Sequence, residues 1–344
     1  MDGLDISHIN LPFTHKGTDA VQFFFLLSGF LLTLKSLTLF EIHGYFNIKH
    51  FYLNRALRIW PLYYLCVCIG FFSLAFMLPY FFHINYLSFS VKKGLPWYLL
   101  FLPNYMVAAY PYKIGALSVL WSLGVEEQFY LFFPLLLIFF VKNKRPVLAV
   151  TCVTFLYAVF YYLNFYGVFR FNETTQNFIN TLKFQYMFAG CFWGIVYKKH
   201  TGLLQKLLPD KKNTQAILLL AIGIMVFTNL PINYIAFQII SVLVYGCLII
   251  NTFSANKQII KLNTPWVSYL GSISYGIYMF HAYIFYMLQF AMLKCLAVKN
   301  VFVFLPILFY MLVFCITTAV AHLSYKYFES KFLLLKGRIA GYGA

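Results

Sequence analysis

The sequence places two carboxylates where an apolar helix would cross a membrane. Glu126 and Glu127 are adjacent in LSVLWSLGVEEQFYLFFPLLLIFFV, residues 117–141, and the whole chain has only nine acidic residues. A carboxylate at bilayer depth is disfavoured by a few kcal/mol, and it is tolerated where it faces protein, a partner or water. A buried carboxyl group suits general acid–base chemistry or the orientation of a histidine or arginine, although a structural contact between helices would use the same residues.

Helical periodicity separates the two glutamates. With 3.6 residues per turn, Ser122, Glu126 and Tyr130 fall on one polar stripe of the helix, whereas Glu127 points about 100° away. We therefore expect Glu126 to act together with the stripe and Glu127 to make a different, supporting contact.

Two histidines and a pair of arginines are the other candidates for chemistry. His8 lies in a polar stretch, where a histidine is ordinarily just solvated. Arg55 and Arg58, spaced i and i+3, could hold a phosphate or pyrophosphate bidentately, or could be ordinary basic anchors at the membrane surface. His281 lies in a Gly- and Ser-rich segment that permits close helix packing, and a hydrogen-bonded packing histidine is the simpler interpretation.

The composition indicates that membrane helices must position these side chains. The chain is 62% hydrophobic and 22% aromatic with only 10% charged residues, far from the usual values for a soluble domain. The net charge of +17 does not indicate nucleic-acid binding, because the basic residues recur at the ends of apolar segments instead of forming one patch. The seven cysteines form no CxxC pair and no cluster with histidine, so neither a metal site nor a disulfide framework is predicted.

The apolar segments predict an all-α fold, a polytopic transmembrane helix bundle. Nine segments approach the roughly 20 residues that cross a bilayer. A further short segment, 95–109, contains two prolines and is predicted to be re-entrant or interfacial. The nine predicted spans are 19–40, 57–82, 117–141, 146–165, 178–197, 215–230, 233–253, 268–292 and 300–325.

The distribution of lysine and arginine predicts the orientation. Most of these residues fall on one side when the loops between the predicted spans are counted alternately, and that side is expected to be cytoplasmic. The C-terminus is then cytoplasmic and the N-terminus outside. Residues 1–17 contain no apolar core, so they resemble neither a signal peptide nor a span.

Five segments, in this order, resemble the integral-membrane acyltransferase-3 family, which includes bacterial surface-polysaccharide O-acetyltransferases. The combination is more specific than any single segment, and the similarity runs over roughly residues 8–335. The segments are GTDAVQFFFLLSGFLLT (17–33), RALRIWPLYYL (55–65), LWSLGVEEQFYLFFPLL (120–136), LGSISYGIYMFHAYI (270–284) and AHLSYKYFESKF (321–332).

The resemblance implies a single integral-membrane acyltransferase domain over residues 1–344 in a bacterial inner membrane. It implies about ten spans, acyl-CoA as a cytoplasmic donor substrate, and no permanently bound cofactor. The acyl group, most commonly acetyl, would move to a hydroxyl of a carbohydrate or glycolipid acceptor at the cell surface or envelope. The lipid bilayer, acyl-CoA and that acceptor are the implied partners, with no nucleic acid.

The resemblance also implies roles for individual residues. His8 stands twenty positions before Ser28 of FFFLLSGF, which matches the spacing of the family's essential histidine. Arg55 and Arg58 match its paired arginines, and Glu126 matches the glutamate of its WSLxxE motif.

The sequence departs from the family pattern in two respects. Gln22 stands where family members often have aspartate. The family's first span, with a basic residue upstream of the histidine, is absent, so we expect this sequence to be N-terminally truncated.

The residues and the resemblance together predict a mechanism. His8 would act as general base on the acceptor hydroxyl or carry the acyl group as an acyl-imidazole, and Glu126 would orient it or stabilise charge. Arg55 and Arg58 would hold the phosphates of coenzyme A. The alternative is a proton- or ion-coupled transporter of a small anionic solute, but the chain shows none of the internal symmetry that transporters often have.

Overall fold

The computed structural model describes residues 17–83, 87, 89–111, 114–200, 202, 212–228, 231–254, 259, 264–295 and 304–339. This part of the chain is helical throughout and contains no strand, which confirms the predicted all-α class. His8 lies outside the described residues.

Fourteen α-helices are described, with one 3₁₀ and two π-helical stretches between them. In chain order they are α1 (Gly17–His43), α2 (Ile48–Phe72), a π-helix (Ser73–Met77), α3 (Leu78–Phe82), α4 (Val91–Leu99), α5 (Pro103–Ala109), a 3₁₀ helix (Gly115–Leu120), α6 (Trp121–Lys142), α7 (Pro146–Phe165), α8 (Glu173–Leu182), α9 (Phe184–Lys199), α10 (Lys212–Phe227), α11 (Tyr234–Ser254), α12 (Pro265–Cys295), α13 (Phe304–Ser324), a second π-helix (Tyr325–Glu329) and α14 (Ser330–Ile339).

Each of the nine predicted spans overlaps helix where the structure describes it. Among the described residues, six helical stretches are long and apolar enough to cross a membrane: Gly17–His43, Ile48–Phe81, Gly115–Lys142, Pro146–Phe165, Tyr234–Phe253 and Ile307–Leu335. The other three predicted spans correspond to α9 and α10, which have 16 residues each, and to α12, which has 31 residues but a more polar sequence.

The predicted span 178–197 is not continuous. The chain breaks at Lys183, whose φ of 39° lies in the left-handed region, and α8 and α9 end and begin on either side of it. Every residue of Glu173–Leu182 is at least partly exposed, whereas most of α9 is buried. Apolar periodicity cannot detect such a break, because the break depends on one backbone dihedral angle.

Large apolar side chains on the outward faces of the long helices are consistent with contact with lipid. Phe24 of α1 is 50% exposed, and Phe155 and Leu156 of α7 are each 66% exposed. An aqueous surface would not favour such contiguous exposure, whereas hydrocarbon chains accommodate it.

The described residues divide into two compact units. One draws its residues from 47–124 and 262–344, and the other from 7–46 and 125–261. We call them the arginine unit, since it contains Arg55 and Arg58, and the glutamate unit, since it contains Glu126 and Glu127.

The glutamate unit is built around the crossing of α1 and α9. A Cβ on Gly190 would lie 2.8 Å from the backbone nitrogen of Phe30 and closer still to the carbonyl oxygen of Leu26. A Cβ on Gly29 would likewise overlap the backbone of Met187. Only glycine permits this approach of two helix backbones, which explains the glycine of the FFFLLSGF segment.

The arginine unit combines α2 with the short helices α4 and α5 and with the C-terminal helices. The hydroxyl of Tyr63 in α2 donates to Tyr98 O at 2.7 Å, and that of Tyr64 donates to Leu99 O at 3.1 Å. The segment 95–109, predicted to be re-entrant or interfacial, thus consists of two short helices. The backbone carbonyl groups at the end of the first one accept hydrogen bonds from tyrosines of α2. Such capping satisfies backbone groups that a short apolar segment would otherwise leave unpaired.

Candidate functional site

Glu126 is buried on α6, as its position in an apolar span predicts. The residue is only 4% exposed, and α6 runs without interruption from Trp121 to Lys142. Glu127, the next residue, is partly exposed. The two glutamates therefore occupy different environments, in agreement with the 100° separation that the helix imposes.

Two hydroxyl groups of the polar stripe of α6 form hydrogen bonds, one within each unit. Tyr130 and Ser28 of α1 form a hydrogen bond of 2.7 Å between their hydroxyl groups, within the glutamate unit. Ser122, two turns away, forms a hydrogen bond with the hydroxyl of Tyr278 on α12, within the arginine unit. Ser28 and Tyr130, two of the possible supporting residues, thus contact each other, and Ser122, the third, makes a separate contact.

His281 lies one turn beyond Tyr278 on α12. Its Nδ1 lies 2.5 Å from the carbonyl oxygen of Tyr278, and because a carbonyl can only accept, Nδ1 carries the proton. In the neutral ring, Nε2 then keeps its lone pair and can accept a hydrogen bond or a proton. The residue is exposed. Packing alone therefore does not explain an exposed ring whose Nε2 can accept a proton, although none of the described contacts of His281 gives it a catalytic role.

Arg55 and Arg58 lie on the first half of α2. Arg55 is partly exposed, and its guanidinium lies 5.9 Å from the centre of the Phe51 ring, whereas Arg58 is exposed. Asn47 caps the start of this helix by accepting from His50 N at 3.0 Å. The cap orders the turn that precedes the arginines, and Arg58 stays accessible to an anionic ligand.

Glu329 is a buried acid that the sequence analysis did not single out. It is 7% exposed, ends the second π-helix, and accepts a hydrogen bond from Ser324 Oγ at 2.8 Å. A Cβ on Gly276 would lie 3.3 Å from its Oε1, so α12 passes directly beside the carboxylate. The segment AHLSYKYFESKF contains this acid at the end of an apolar helix. A rare acid in such a position is a signal by which the sequence could have identified Glu329.

Glu329 lies within electrostatic range of Arg58. A second connection runs through Tyr275, the neighbour of Gly276, whose hydroxyl donates to Ile59 O at 2.9 Å. One buried acid therefore stands near the exposed guanidinium and is fixed by a π-helix, a device that recurs at functional sites. We expect Glu329 to position Arg58.

Replacing Glu329 by glutamine should weaken binding of the acyl donor and leave binding of the acceptor unchanged. If Arg58 binds the phosphates of an acyl-CoA, the E329Q variant should raise the KM for acyl-CoA about tenfold, which corresponds to about 1.4 kcal/mol. Steady-state kinetics on purified protein measure this. Glu41→Gln is the matched control, since Glu41 forms an ion pair of 2.7 Å with Lys198 at the surface. An unchanged KM in E329Q, or an equal rise in E41Q, would contradict the assignment.

The structure thus places the predicted residues in two groups. Arg55, Arg58, Ser122 and His281 belong to the arginine unit, and Ser28, Glu126, Glu127 and Tyr130 belong to the glutamate unit. Chemically, the first group offers cations for a polyanion, and the second offers a buried carboxylate that can orient a base or stabilise positive charge.

The chain belongs to an acyltransferase family. The model of the family described as "Acyltransferase domain" matches residues 17–326, which is most of the chain. This confirms the resemblance that the five segments suggested.

Individual relatives carry O-acetyltransferase names. The peptidoglycan O-acetyltransferase OatA of Listeria monocytogenes serovar 1/2a is 25% identical over 293 residues. The match covers 80% of this chain and 46% of the length of the Listeria protein. The Staphylococcus aureus (strain COL) protein SACOL0978, named provisionally as an O-acetyltransferase, is 24% identical over 346 residues, covering 96% of this chain and 55% of its own.

The chain therefore spans about half the length of these relatives. A third relative, O-acetyltransferase OatA of Staphylococcus aureus (strain NCTC 8325 / PS 47), is 28% identical over 152 residues, covering 42% of this chain and 24% of its own. No solved structure matches the chain.

Proposed function

We propose that this protein is a membrane-embedded O-acyltransferase that moves an acyl group, acetyl in the first instance, from acyl-CoA to a carbohydrate hydroxyl. Family membership over residues 17–326 supports the reaction class, and the burial of Glu126 in an apolar helix carries the proposal for the site. The names of the relatives support acetyl as the group and a cell-envelope glycan such as peptidoglycan as the acceptor.

The proposed chemistry requires a base, a charge stabiliser and a donor site. His8 removes the proton from the acceptor hydroxyl, the oxygen attacks the thioester carbon, the C–S bond breaks, and the departing thiolate takes the proton back from the imidazolium. A variant of this route has His8 carry the acyl group first as an acyl-imidazole. Glu126 stabilises the imidazolium or holds the ring in the correct tautomer, as a buried carboxylate does for a catalytic histidine.

Arg55 and Arg58 bind the phosphates of coenzyme A in this proposal. Two guanidiniums one helical turn apart match a diphosphate better than lysines would, because each presents a planar pair of donors. No permanently bound cofactor and no metal take part. The lipid bilayer, acyl-CoA and the carbohydrate or glycolipid are the partners.

The proposed orientation follows from the basic residues. Lys142 ends α6, and Lys198 and Lys199 end α9, which favours the cytoplasm for the C-terminal ends of these helices. We place the protein in a bacterial inner membrane with a cytoplasmic C-terminus, so that acyl-CoA reaches Arg55 and Arg58 from inside the cell.

A reconstituted transfer assay tests the proposed function. The protein in lipid nanodiscs, given [¹⁴C]acetyl-CoA and soluble peptidoglycan fragments, should release CoA and label the glycan. The double variant Arg55→Ala/Arg58→Ala should raise the KM for acetyl-CoA at least tenfold, and Lys144→Ala, a basic residue in the loop after α6, should leave it unchanged. Absence of transfer together with solute uptake that depends on Glu126 in proteoliposomes would establish the transporter instead.

A further inference from the structure

The interior of the glutamate unit contains hydrogen-bonding groups that are buried and unpaired. Gln22 of α1, Gln185 and Tyr186 of α9 and Gln238 of α11 are each at most 6% exposed. Within the part of the chain that the structure describes, Gln22 Oε1, both amide atoms of Gln185, the Tyr186 hydroxyl and Gln238 Nε2 have no hydrogen-bond partner. We call these four side chains the polar layer.

The geometry of α1 and α9 places Gln22 and Tyr186 within about one helical turn of the same depth. The two helices are parallel, because Gly190 packs on Leu26 and Gly194, one turn further, packs on Phe30 and Thr33. One turn back from Leu26 is Gln22, and one turn back from Gly190 is Tyr186.

Helices α7 and α11 complete the layer. The Tyr162 hydroxyl at the end of α7 donates to Gln238 Oε1 at 3.3 Å. Tyr161, Tyr162 and Tyr234 lie near Tyr186. Four helices of one unit therefore direct amide and phenol groups to a common depth.

Glu126 lies toward the same end of the unit. A loop of three residues joins α6 to α7, so these two helices are antiparallel. The chain doubles back after α7, because Tyr161 donates to Asn180 O of α8 whereas Tyr157, one turn earlier, packs on Phe188 of α9, so α7 runs antiparallel to the α8–α9 segment. Helices α6 and α9 are therefore parallel. Glu126 stands one turn from Tyr130, which contacts Ser28, in the direction of the polar layer.

Unpaired buried polar groups need a partner. Each costs about 1–3 kcal/mol when it is left without one, and native proteins rarely retain several together unless water or a ligand satisfies them. Inside a membrane bundle such groups mark a binding site or a pathway.

The chemistry of the polar layer selects the class of ligand. Amide and phenol groups offer both donors and acceptors, which is what a ligand rich in hydroxyl groups requires. Asp19 and Lys183 interact with each other and are opposite in sign, and a cation attracted by Glu126 would leave the amide N–H donors of the layer unpaired. An acyl chain would leave every group unpaired.

We propose that Gln22, Gln185 and Tyr186 bind hydroxyl groups of the acceptor carbohydrate beside Glu126. This inference rests on the proposed function and deepens it, because it assigns the acceptor site to the glutamate unit. Each hydrogen bond that a substitution removes should weaken glycan binding without affecting acyl-CoA.

Three single variants test the assignment. Gln22→Leu, Gln185→Leu and Tyr186→Phe should each raise the KM for a soluble peptidoglycan tetrasaccharide about tenfold, with the KM for acetyl-CoA within twofold of wild type. Their melting temperatures should be unchanged or higher, since an apolar side chain replaces an unsatisfied polar one. Asn251→Leu is the matched control, because Asn251 is also a buried amide without a partner among the described residues but lies at the other end of α11.

Direct binding of the same tetrasaccharide separates this inference from the proposed function. Loss of binding in the three variants, with transfer absent even in wild type, would support the acceptor site and overturn the transferase. Transfer with an unchanged glycan KM in all three variants, or an equal rise in N251L, would overturn the acceptor site and leave the transferase intact. A wild-type protein that neither binds nor acetylates the tetrasaccharide would overturn both.

Discussion

Glu126→Gln should abolish most of the acyl transfer while the protein still folds. The substitution keeps the shape of a side chain that is 4% exposed but removes its carboxylate, so in the proposed mechanism the imidazolium of His8 loses its stabilising partner. General acid–base groups typically contribute 10²–10⁴-fold, and we expect kcat to fall by about that factor with little change in either KM. Single-turnover and steady-state assays on purified protein measure the effect.

The adjacent Glu127→Gln variant is the control for this experiment. It changes the same functional group one position away, on a face about 100° removed and with partial exposure. We expect its kcat to stay within about tenfold of wild type. Equal losses in the two variants would mean that the pair acts as one unit, and full activity of E126Q would exclude the role proposed for Glu126.

Gly190→Ala should strongly destabilise the glutamate unit. The added Cβ would overlap the backbone of α1 at Leu26 and Phe30, and a helix backbone cannot rotate away as a side chain can. Overpacking of this kind costs about 3 kcal/mol, so the melting temperature in detergent should fall by roughly 6–12 °C. Differential scanning fluorimetry measures it.

Gly271→Ala supplies the matched comparison. Gly271 is also a helical glycine, on α12, but a Cβ there would meet nothing within 4 Å. Alanine has the higher helix propensity, so G271A should be neutral or slightly stabilising. If G190A melted at the wild-type temperature, the close crossing of α1 and α9 would be wrong.

The sequence was most informative where periodicity and composition act over many residues. Helix α7 has the predicted bounds, 146–165, because proline is favoured in the first turn of a helix and the apolar run ends at Phe165. It was least informative at Lys183, where one residue with positive φ divides a predicted span into α8 and α9. That break depends on local backbone geometry that no apolar count contains.

The sequence likewise identified some residues of the candidate site and missed another. Arg55, Arg58 and Glu126 could be named from the sequence because charge is rare in apolar helices, and family resemblance added His8, which lies outside the described residues. Glu329 was overlooked, because its importance depends on a neighbour that is distant in sequence: Arg58 precedes it by hundreds of residues, and helix packing alone brings the two together.

The sequence by itself determined the class of this protein: an all-helical membrane acyltransferase family member with a buried acid in an apolar span. The tertiary structure alone decided the partners of its polar side chains. Gln22, Gln185 and Gln238 are isolated polar residues in three apolar segments. Only the packing of α1, α9 and α11 shows that all three are buried and that each retains an amide atom without a hydrogen-bond partner among the described residues. The physical reason is that periodicity specifies which face of a helix is apolar, whereas close approach at Gly29 and Gly190 specifies which helices meet and at what depth.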